Sequence, residues 1–212
     1  MRIIDLTCPI ESVQGGAPTA SRHLVPLTIR GGKYSGVCYR LAMDGMSGTY
    51  MDFPGHIAEF DDGDDAGNFP IEKLFMLDTT VIHLRREGAG REVTADELEA
   101  AKIEVKGDVL IVHALGEKLW SDYDGASIPY FGPGAIRWII GKQPRIFASD
   151  IYEKRPDQQG IFVELFRNRI NCVCCPVNLD QIREIYPKSC IVPLKMPKVT
   201  QIPCRFFVVE QA

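Results

Sequence analysis

The sequence predicts a single α/β domain spanning residues 1–212, built on a central mixed sheet with few helices. Short apolar runs rich in Val, Ile and aromatic residues recur along the chain, separated by Gly, Pro, Asp and Asn. This pattern is typical of strands bounded by turns. Helical patterns are fewer than strand patterns, which argues against a regular doubly wound fold. Neither an internal repeat nor a shift in composition marks a second domain.

The apolar runs predict eight strands. They lie near residues 2–6, 37–43, 79–84, 108–113, 145–149, 170–175, 190–195 and 205–209.

Two or three helices are predicted between these strands. Thr94 followed by Glu97 forms a capping box, which predicts a helix through about Ala101. Pro133 suits the first turn of a second helix with isoleucines on one face. A third helix is predicted near 179–185, where Leu and Ile recur at helical spacing before a proline.

Composition narrows the possible partners and the cellular compartment. The chain carries a net charge of −4 without a basic stripe, so nucleic acid is not expected as a partner. No apolar run approaches the ~20 residues needed to cross a bilayer, and the N-terminus lacks a signal-peptide pattern. The seven cysteines are odd in number and lie mostly in apolar runs, which favours buried free thiols. We therefore expect a cytoplasmic protein that binds no membrane.

The segment 61–68, DDGDDAGN, crowds four aspartates with two glycines. Carboxylate oxygens suit calcium, but the spacing does not match an EF-hand loop. A solvated loop is the favoured interpretation.

The segment 46–56, MSGTYMDFPGH, contains the candidate catalytic residues Asp52 and His56. Pro54 between them disfavours a regular helix, so we expect a turn or loop after the strand near 37–43. A carboxylate can orient an imidazole that titrates near neutral pH, and the two would form a general acid–base pair. The alternative is a polar loop in which the Asp caps backbone amides.

This segment resembles the signature H-x-G-T-H-x-D-x-P-x-H of the cyclase family, which includes bacterial kynurenine formamidases and isatin hydrolases. Gly48, Thr49, Asp52, Pro54 and His56 match the signature in place. The likeness continues through IIDLTCPI, VTADELEAA, GDVLIVHA, SIPYFGPGAIRWII, CCPVNLDQI and IVPLKMP, and so spans nearly the whole chain. The resemblance implies a cyclase-like fold of the swivelling β/α/β type, a small-molecule substrate or ligand, and a homodimer or larger homo-oligomer.

The resemblance also implies a divalent metal, and here the chain departs from the pattern. The positions that correspond to the family's other ligands hold residues that suit such an ion poorly: Met46, Tyr50, Phe162 and Cys174. Asp52 remains, together with His56, which resembles the family's acid–base histidine. A neutral phenol is a poor ligand for zinc or manganese. We therefore predict a protein without the family's metal and without another cofactor.

Three functions remain open from the sequence. In the first, Asp52 and His56 perform metal-independent acid–base chemistry, such as cyclisation, dehydration or opening of a lactone or cyclic amide. Tyr50 would donate a hydrogen bond to the substrate, which Thr49, Met46, Phe162 and Cys174 would contact. A variant makes Cys174 or Cys175 a nucleophile activated by His56.

In the second function, the protein is a metal-dependent hydrolase of the kynurenine formamidase type. Its metal would be held by an atypical ligand set of Asp52, His56 and Cys174. The third is a non-catalytic pseudoenzyme that binds a small ligand. The first is preferred, with an enzyme favoured over a binder.

Overall fold

The computed structural model describes most of the chain: residues 1–10, 19–84, 86, 90–116, 127–153 and 160–211. The strands within these ranges are β1 (Arg2–Asp5), β2 (Thr19–Ile29), β3 (Gly32–Ala42), β4 (Tyr50–Asp52), β5 (Leu77–His83), β6 (Glu92–Val93), β7 (Val109–His113), β8 (Tyr130–Phe131), β9 (Ile146–Ser149), β10 (Asn171–Cys174), β11 (Lys188–Pro193) and β12 (Gln201–Glu210). The helices are α1 (Ala95–Ala100), α2 (Pro133–Gly141) and α3 (Ile161–Arg167).

The main sheet closes on itself. Its strands are hydrogen-bonded in the order β1-β12-β11-β5-β7-β9-β10-β4, and β12 also pairs with β4. In the described chain, seven strands from β12 round to β4 therefore form a barrel-like sheet, with β1 added beside β12. The strands β5, β7, β9 and β10 run parallel, whereas β4 and β11 are antiparallel to their neighbours. The predicted mixed α/β architecture is confirmed, and the swivelling β/α/β arrangement stays a prediction.

Alternate residues of these strands belong to two different apolar cores, because successive side chains in a strand point to opposite faces. The inner core fills the barrel and includes Met51, Ile111 and Val173. The outer core lies between the barrel and the helices and includes Leu110 and Phe147. Burial of these side chains, at about 25 cal/mol per Å² of apolar surface, is the main stabilising contribution to the fold.

Two of the predicted helices are confirmed. The side chain of Thr94 accepts a hydrogen bond from the backbone of Glu97, and the Glu97 side chain accepts one from the Thr94 backbone, which completes the capping box. Helix α2 begins at Pro133, as expected. Helix α3 was not predicted, because its sequence IFVELFR is short and as apolar as a strand.

The predicted helix near 179–185 is wrong. Only a 3-10 turn, Leu179–Gln181, forms there, and Ile182 already has extended backbone angles. Leu179 and Ile182 both pack into the inner core. The helical spacing of these apolar residues thus reflects two contacts with the barrel interior rather than a helix face.

The segment 61–68 is a loop, as predicted. Its aspartates accept hydrogen bonds from nearby backbone amides: Asp61 from Gly63, Asp65 from Gly67, and Asp65 also from Lys198. These contacts are those of a capped polar loop.

Strands β2 and β3 form a long hairpin outside the main sheet, paired along their whole length. All residues of β2 are exposed, and β3 is exposed except at two glycines. The sequence predicted only the second half of β3.

Four of the seven cysteines are buried, which confirms the expectation of buried thiols for most of them. Within the described ranges, no helix has the length and apolar character needed to span a membrane.

Candidate functional site

Strand β4 is the base of the candidate site. It lies between β10 and β12, so that Asp52 is opposite Cys172 on one side and Gln201 on the other, and Tyr50 is opposite Cys174. Partners across a sheet share a face. The side chains of these residues therefore lie together on the outer face of the barrel. The sequence prediction of a loop is wrong for Tyr50–Asp52 and holds for the residues on either side.

Asp52 is the buried carboxylate of this face, with 2% of its surface exposed. Its Oδ2 accepts a hydrogen bond from the thiol of Cys174 at 3.6 Å. Its Oδ1 is buried without a hydrogen-bond partner among the described residues. Burial raises the pKa of Asp52 to about 6, against the opposing effects of the His56 charge and of hydrogen bonds from Gln201 and Cys174. A buried carboxylate left this poorly paired is costly and requires an explanation.

His56 lies at the end of the 3-10 turn Pro54–His56 and is exposed. The side-chain amide of Gln201 donates to its Nε2 at 3.3 Å. Its ring packs edge-on against Phe166 of α3, with ring centroids 6.3 Å apart. A side chain at Gly55 would come within 2.8 Å of Oδ1 of Asp61, so glycine allows the turn to pack closely there. The structure thus brings Asp52 and His56 together around Gln201.

Tyr50 and Cys174 lie beside Asp52 in the buried part of the site. Burial raises the pKa of the Tyr50 phenol, and the neighbouring thiol and carboxylate groups add to this effect. Burial also raises the pKa of the Cys174 thiol well above its usual value, and the nearby Asp52 charge adds to it. Both groups therefore stay protonated at neutral pH. Because a thiolate is the nucleophilic form, this argues against Cys174 as a nucleophile.

Thr49 is buried, and its hydroxyl already forms hydrogen bonds with backbone groups. It accepts a hydrogen bond from the amide of Cys8 at 2.7 Å and donates to the carbonyl of Cys175 at 2.8 Å. This arrangement ties three separate segments of the chain together. Contact of Thr49 with a substrate stays a prediction.

An apolar wall borders the site on the side of α3. Phe162 stacks on Tyr152 with ring centroids 5.1 Å apart, and it lies 6.0 Å from Phe166. Phe162 and Met46 are both partly buried and pack against the outer core. The structure therefore brings these two predicted residues to the layer that contains Tyr50 and Cys174, although it leaves their contact with substrate untested.

Gln201 is the site residue that the sequence did not reveal. It begins β12, 149 positions after Asp52, and only the pairing of β12 with β4 places the two side by side. Nothing in the local sequence around Gln201 marks it as functional.

The comparisons with known proteins agree with this architecture. The model of the family Cyclase, described as "Putative cyclase", matches residues 4–153, which include the signature segment. The chain belongs to the cyclase family. No curated protein sequence matches it.

Several solved structures are similar to this cyclase-family chain over nearly its whole length. A structure described as a potential metal-dependent hydrolase with cyclase activity is 18% identical, covers 99% of both chains and has a TM-score of 0.72. Isatin hydrolase A from Labrenzia aggregata, bound to benzyl benzoate, is 21% identical over 98% of this chain and 93% of its own, also with a TM-score of 0.72. A structure described as a predicted metal-dependent hydrolase from Bacillus stearothermophilus is 19% identical over 98% of this chain and 97% of its own, with a TM-score of 0.70. At these identities the likeness establishes the fold.

The donors present on this face do not fit the metal that the family resemblance implies. Asp52 offers a carboxylate, but Met46 offers only a thioether, Phe162 offers no donor, and the Tyr50 phenol and the Cys174 thiol stay protonated. Divalent zinc and manganese need several deprotonated or imidazole ligands in one place. Among the residues that the structure describes, no group of three His, Cys, Asp or Glu side chains has a geometry suited to a metal ion.

His113, which is buried, lies elsewhere. Nδ1 of His113 lies 2.7 Å from Nδ1 of His83, and Nε2 of His113 lies 2.8 Å from the carbonyl of Gly116. The two histidines therefore hydrogen-bond to each other at the ends of β5 and β7, away from Asp52.

Proposed function

We propose that this cyclase-family protein is an acid–base catalyst that acts on a small metabolite without a metal. The observation that carries the proposal is the buried carboxylate of Asp52, which has one unpartnered oxygen and lies next to the exposed His56. An unpaired buried carboxylate costs about 1–3 kcal/mol or more, so its retention at this place favours a functional role.

The two groups are suited to different parts of a proton transfer. His56 is accessible to a ligand and its imidazole is anchored by Gln201. Asp52 has a pKa raised to about 6, close to the pH at which most enzymes work. A group exchanges protons best when its pKa is near the working pH. His56 would accept or deliver a proton at the substrate, while Asp52 would stabilise the imidazolium or share its proton.

The surroundings indicate the kind of substrate. The aromatic rings of Phe162 and Phe166 and the thioether of Met46 favour a molecule with an apolar or aromatic part. Tyr50 keeps its proton and is able to donate a hydrogen bond to a carbonyl oxygen. A small cyclic compound with a carbonyl group suits both features. The reactions we propose are cyclisation, dehydration, and opening of a lactone or cyclic amide.

The alternative metal site formed by Asp52, His56 and Cys174 is less well supported. A thiol binds zinc as thiolate, and burial raises the pKa of Cys174. The pseudoenzyme alternative uses the same site residues and differs only in the absence of turnover. The buried thiols of Cys172, Cys174, Cys190 and Cys204 fit a reducing compartment, so we propose a cytoplasmic protein.

The test is a screen of lactones, cyclic imides and formamides, with and without a chelator. We expect turnover that the chelator leaves unchanged and that His56→Ala abolishes. His23→Ala is the matched control, because His23 is also exposed but lies on β2. Turnover that requires added zinc supports the metal-dependent alternative, and turnover that survives His56→Ala contradicts the proposal. Ligand binding without any turnover leaves the pseudoenzyme.

A further inference from the structure

Two histidines end the neighbouring parallel strands β5 and β7 and lie opposite each other in the sheet. The Nδ1 atoms of His83 and His113 are 2.7 Å apart, and the two rings are perpendicular, with centroids 5.0 Å apart. At this distance the two nitrogens share a hydrogen bond. Because a ring nitrogen accepts a hydrogen bond only when it carries no proton, at most one of the two Nδ1 atoms is protonated.

The other side of the His113 ring fixes which nitrogen carries the proton. Its Nε2 lies 2.8 Å from the carbonyl oxygen of Gly116, a group that only accepts, so Nε2 holds a proton. When His113 is neutral, its Nδ1 is therefore the acceptor, and Nδ1 of His83 is the donor. His113 is buried and His83 is exposed, so His83 is the member that solvent protons reach directly.

Two carboxylates face the pair. Oδ2 of Asp150 lies 3.8 Å from Nε2 of His113, and the charge of Asp180 acts on His83. One positive charge on the pair is therefore compensated, and it leaves the bond between the rings intact. A second proton has no place in this arrangement, because both Nδ1 atoms would then be donors and the two cationic rings would repel each other.

The electrostatics of His83 agree with this proton count. Partial burial of its ring and the charge of His113 lower the pKa of His83. The charge of Asp180 and a hydrogen bond to the backbone of Ile182 oppose this effect without cancelling it. The doubly protonated pair therefore forms only at a pH below the ordinary range of histidine.

The pair also belongs to the contacts that hold the chain where β7 ends. We call residues 114–116 the β7 exit. The carboxylate of Asp150 accepts hydrogen bonds from the amides of Ala114 and Leu115, both at 2.9 Å. His113 holds the carbonyl of Gly116 at the end of the same segment. The position of the His113 ring, and with it that of the β7 exit, thus depends on the contact with His83.

We propose that His83 and His113 form a pH-sensitive latch on the β7 exit, closed while the pair carries at most one positive charge and opened when acid protonates both rings. Repulsion between the two imidazolium rings separates them. His113 then releases the carbonyl of Gly116, and the amides bound to Asp150 become more accessible to water.

The latch is continuous with the apolar wall of the candidate site. Asp150 lies in the segment 149–152, in which the amide of Ser149 donates to the hydroxyl of Tyr152 at 3.0 Å. The Ser149 hydroxyl donates to the carbonyl of Val112 at 2.7 Å, one residue before His113. Tyr152 in turn stacks on Phe162. An open latch is therefore expected to loosen this wall as well.

Hydrogen exchange of the Ala114 and Leu115 amides tests the latch in the full-length chain. The rates are measured by NMR between pH 7.5 and 5.0 and are divided by the intrinsic exchange rate at each pH. In the wild type, protection is expected to fall roughly tenfold as the pH drops, which corresponds to about one pKa unit of repulsion between the rings.

The variant His83→Gln removes the second charge, and its side-chain amide keeps a hydrogen bond to Nδ1 of His113 in either protonation state. Its protection is expected to change less than twofold over the same pH range. His23→Gln, at an exposed histidine on β2, is the matched control and should behave as the wild type.

The competing cause of acid opening is Asp150 itself, because burial raises the pKa of its carboxyl group. Both the wild type and His83→Gln contain Asp150. Exchange that accelerates equally in the two proteins would therefore assign the opening to Asp150 and overturn the proposal. So would protection in the wild type that does not change with pH.

The ring-nitrogen shifts of the wild type provide a second test that needs no variant. At pH 7.5 we expect His113 to carry its proton on Nε2. On acidification the pair should titrate in two separate steps, the second of them at lower pH than the single step of the exposed His23. Titration of His83 and His113 together, in one step at the pH of His23, would contradict the shared proton and overturn the latch.

Discussion

Gln201 lies directly opposite Asp52 where β12 pairs with β4, and its side-chain amide donates to Nε2 of His56. One residue thus contacts both members of the proposed acid–base pair. In the proposed mechanism, Gln201 would act through these two residues, as a positioning residue.

Replacement of Gln201 should therefore change the titration of the site. Gln201→Leu is expected to raise the pKa of Asp52 further, because the Gln201 hydrogen bond lowers it. Turnover should fall by about tenfold, as expected for the loss of one or two hydrogen bonds. The pH–rate profile is the measurement, and its acid limb should move to higher pH. Gln181→Leu, at an exposed glutamine in the 3-10 turn Leu179–Gln181, is the control. An unshifted profile in Gln201→Leu would contradict the assigned role.

Asp52 should make stability fall with rising pH. Its pKa of about 6 in the folded protein exceeds the ordinary value of 3.8, so the folded state binds the proton more tightly between these values. The stabilising contribution of the carboxyl group is complete below pH 3.8 and is lost as the pH rises through about 6. Two pKa units correspond to roughly 3 kcal/mol.

Asp52→Asn removes this titration. At pH 7.5 the variant is expected to be more stable than the wild type by roughly 1–3 kcal/mol, because it no longer buries a charge. At pH 3.5 the two should be about equal. Urea unfolding at both pH values measures the difference, with Asp62→Asn as a control at an exposed aspartate. A variant less stable than the wild type at pH 7.5 would show that the ionised Asp52 is well paired.

Thr49 is expected to stabilise the fold through its hydroxyl. Thr49→Val removes the hydroxyl that bonds to the Cys8 amide and the Cys175 carbonyl. The free energy of unfolding should fall by about 1–3 kcal/mol, since buried backbone groups lose their partner. Thr49→Ser keeps the hydroxyl and should retain most of the stability. Equal stability of Thr49→Val and the wild type would argue for a role in substrate contact instead.

Much of the fold was predictable because its signals are local. The capping box of α1 needs only Thr94 and Glu97, and Pro133 alone marks the start of α2. Strand β4 was missed because it has three residues and lies between a turn and a proline. Ile182 was misplaced in a helix because its apolar character is satisfied by the barrel interior in an extended conformation.

The site was predictable only in part for a related reason. The signature segment placed Asp52 and His56 near each other along the chain. The partners of Asp52 come from β10 and β12, more than a hundred residues away, through the register of the sheet. Register depends on the closed barrel, and no local pattern specifies it. For this reason Cys174 was reached through the family resemblance, whereas Gln201 was not reached at all.

We propose that the residues on the outer face of β4 act without a metal. Elemental analysis of bound metal tests it most directly, on protein purified without chelator and then dialysed against zinc and manganese. The donor set around Asp52 predicts far less than one equivalent per chain, with no difference between the wild type and Asp52→Ala. About one equivalent per chain in the wild type, lost in Asp52→Ala, would contradict the account and support a metal-dependent hydrolase.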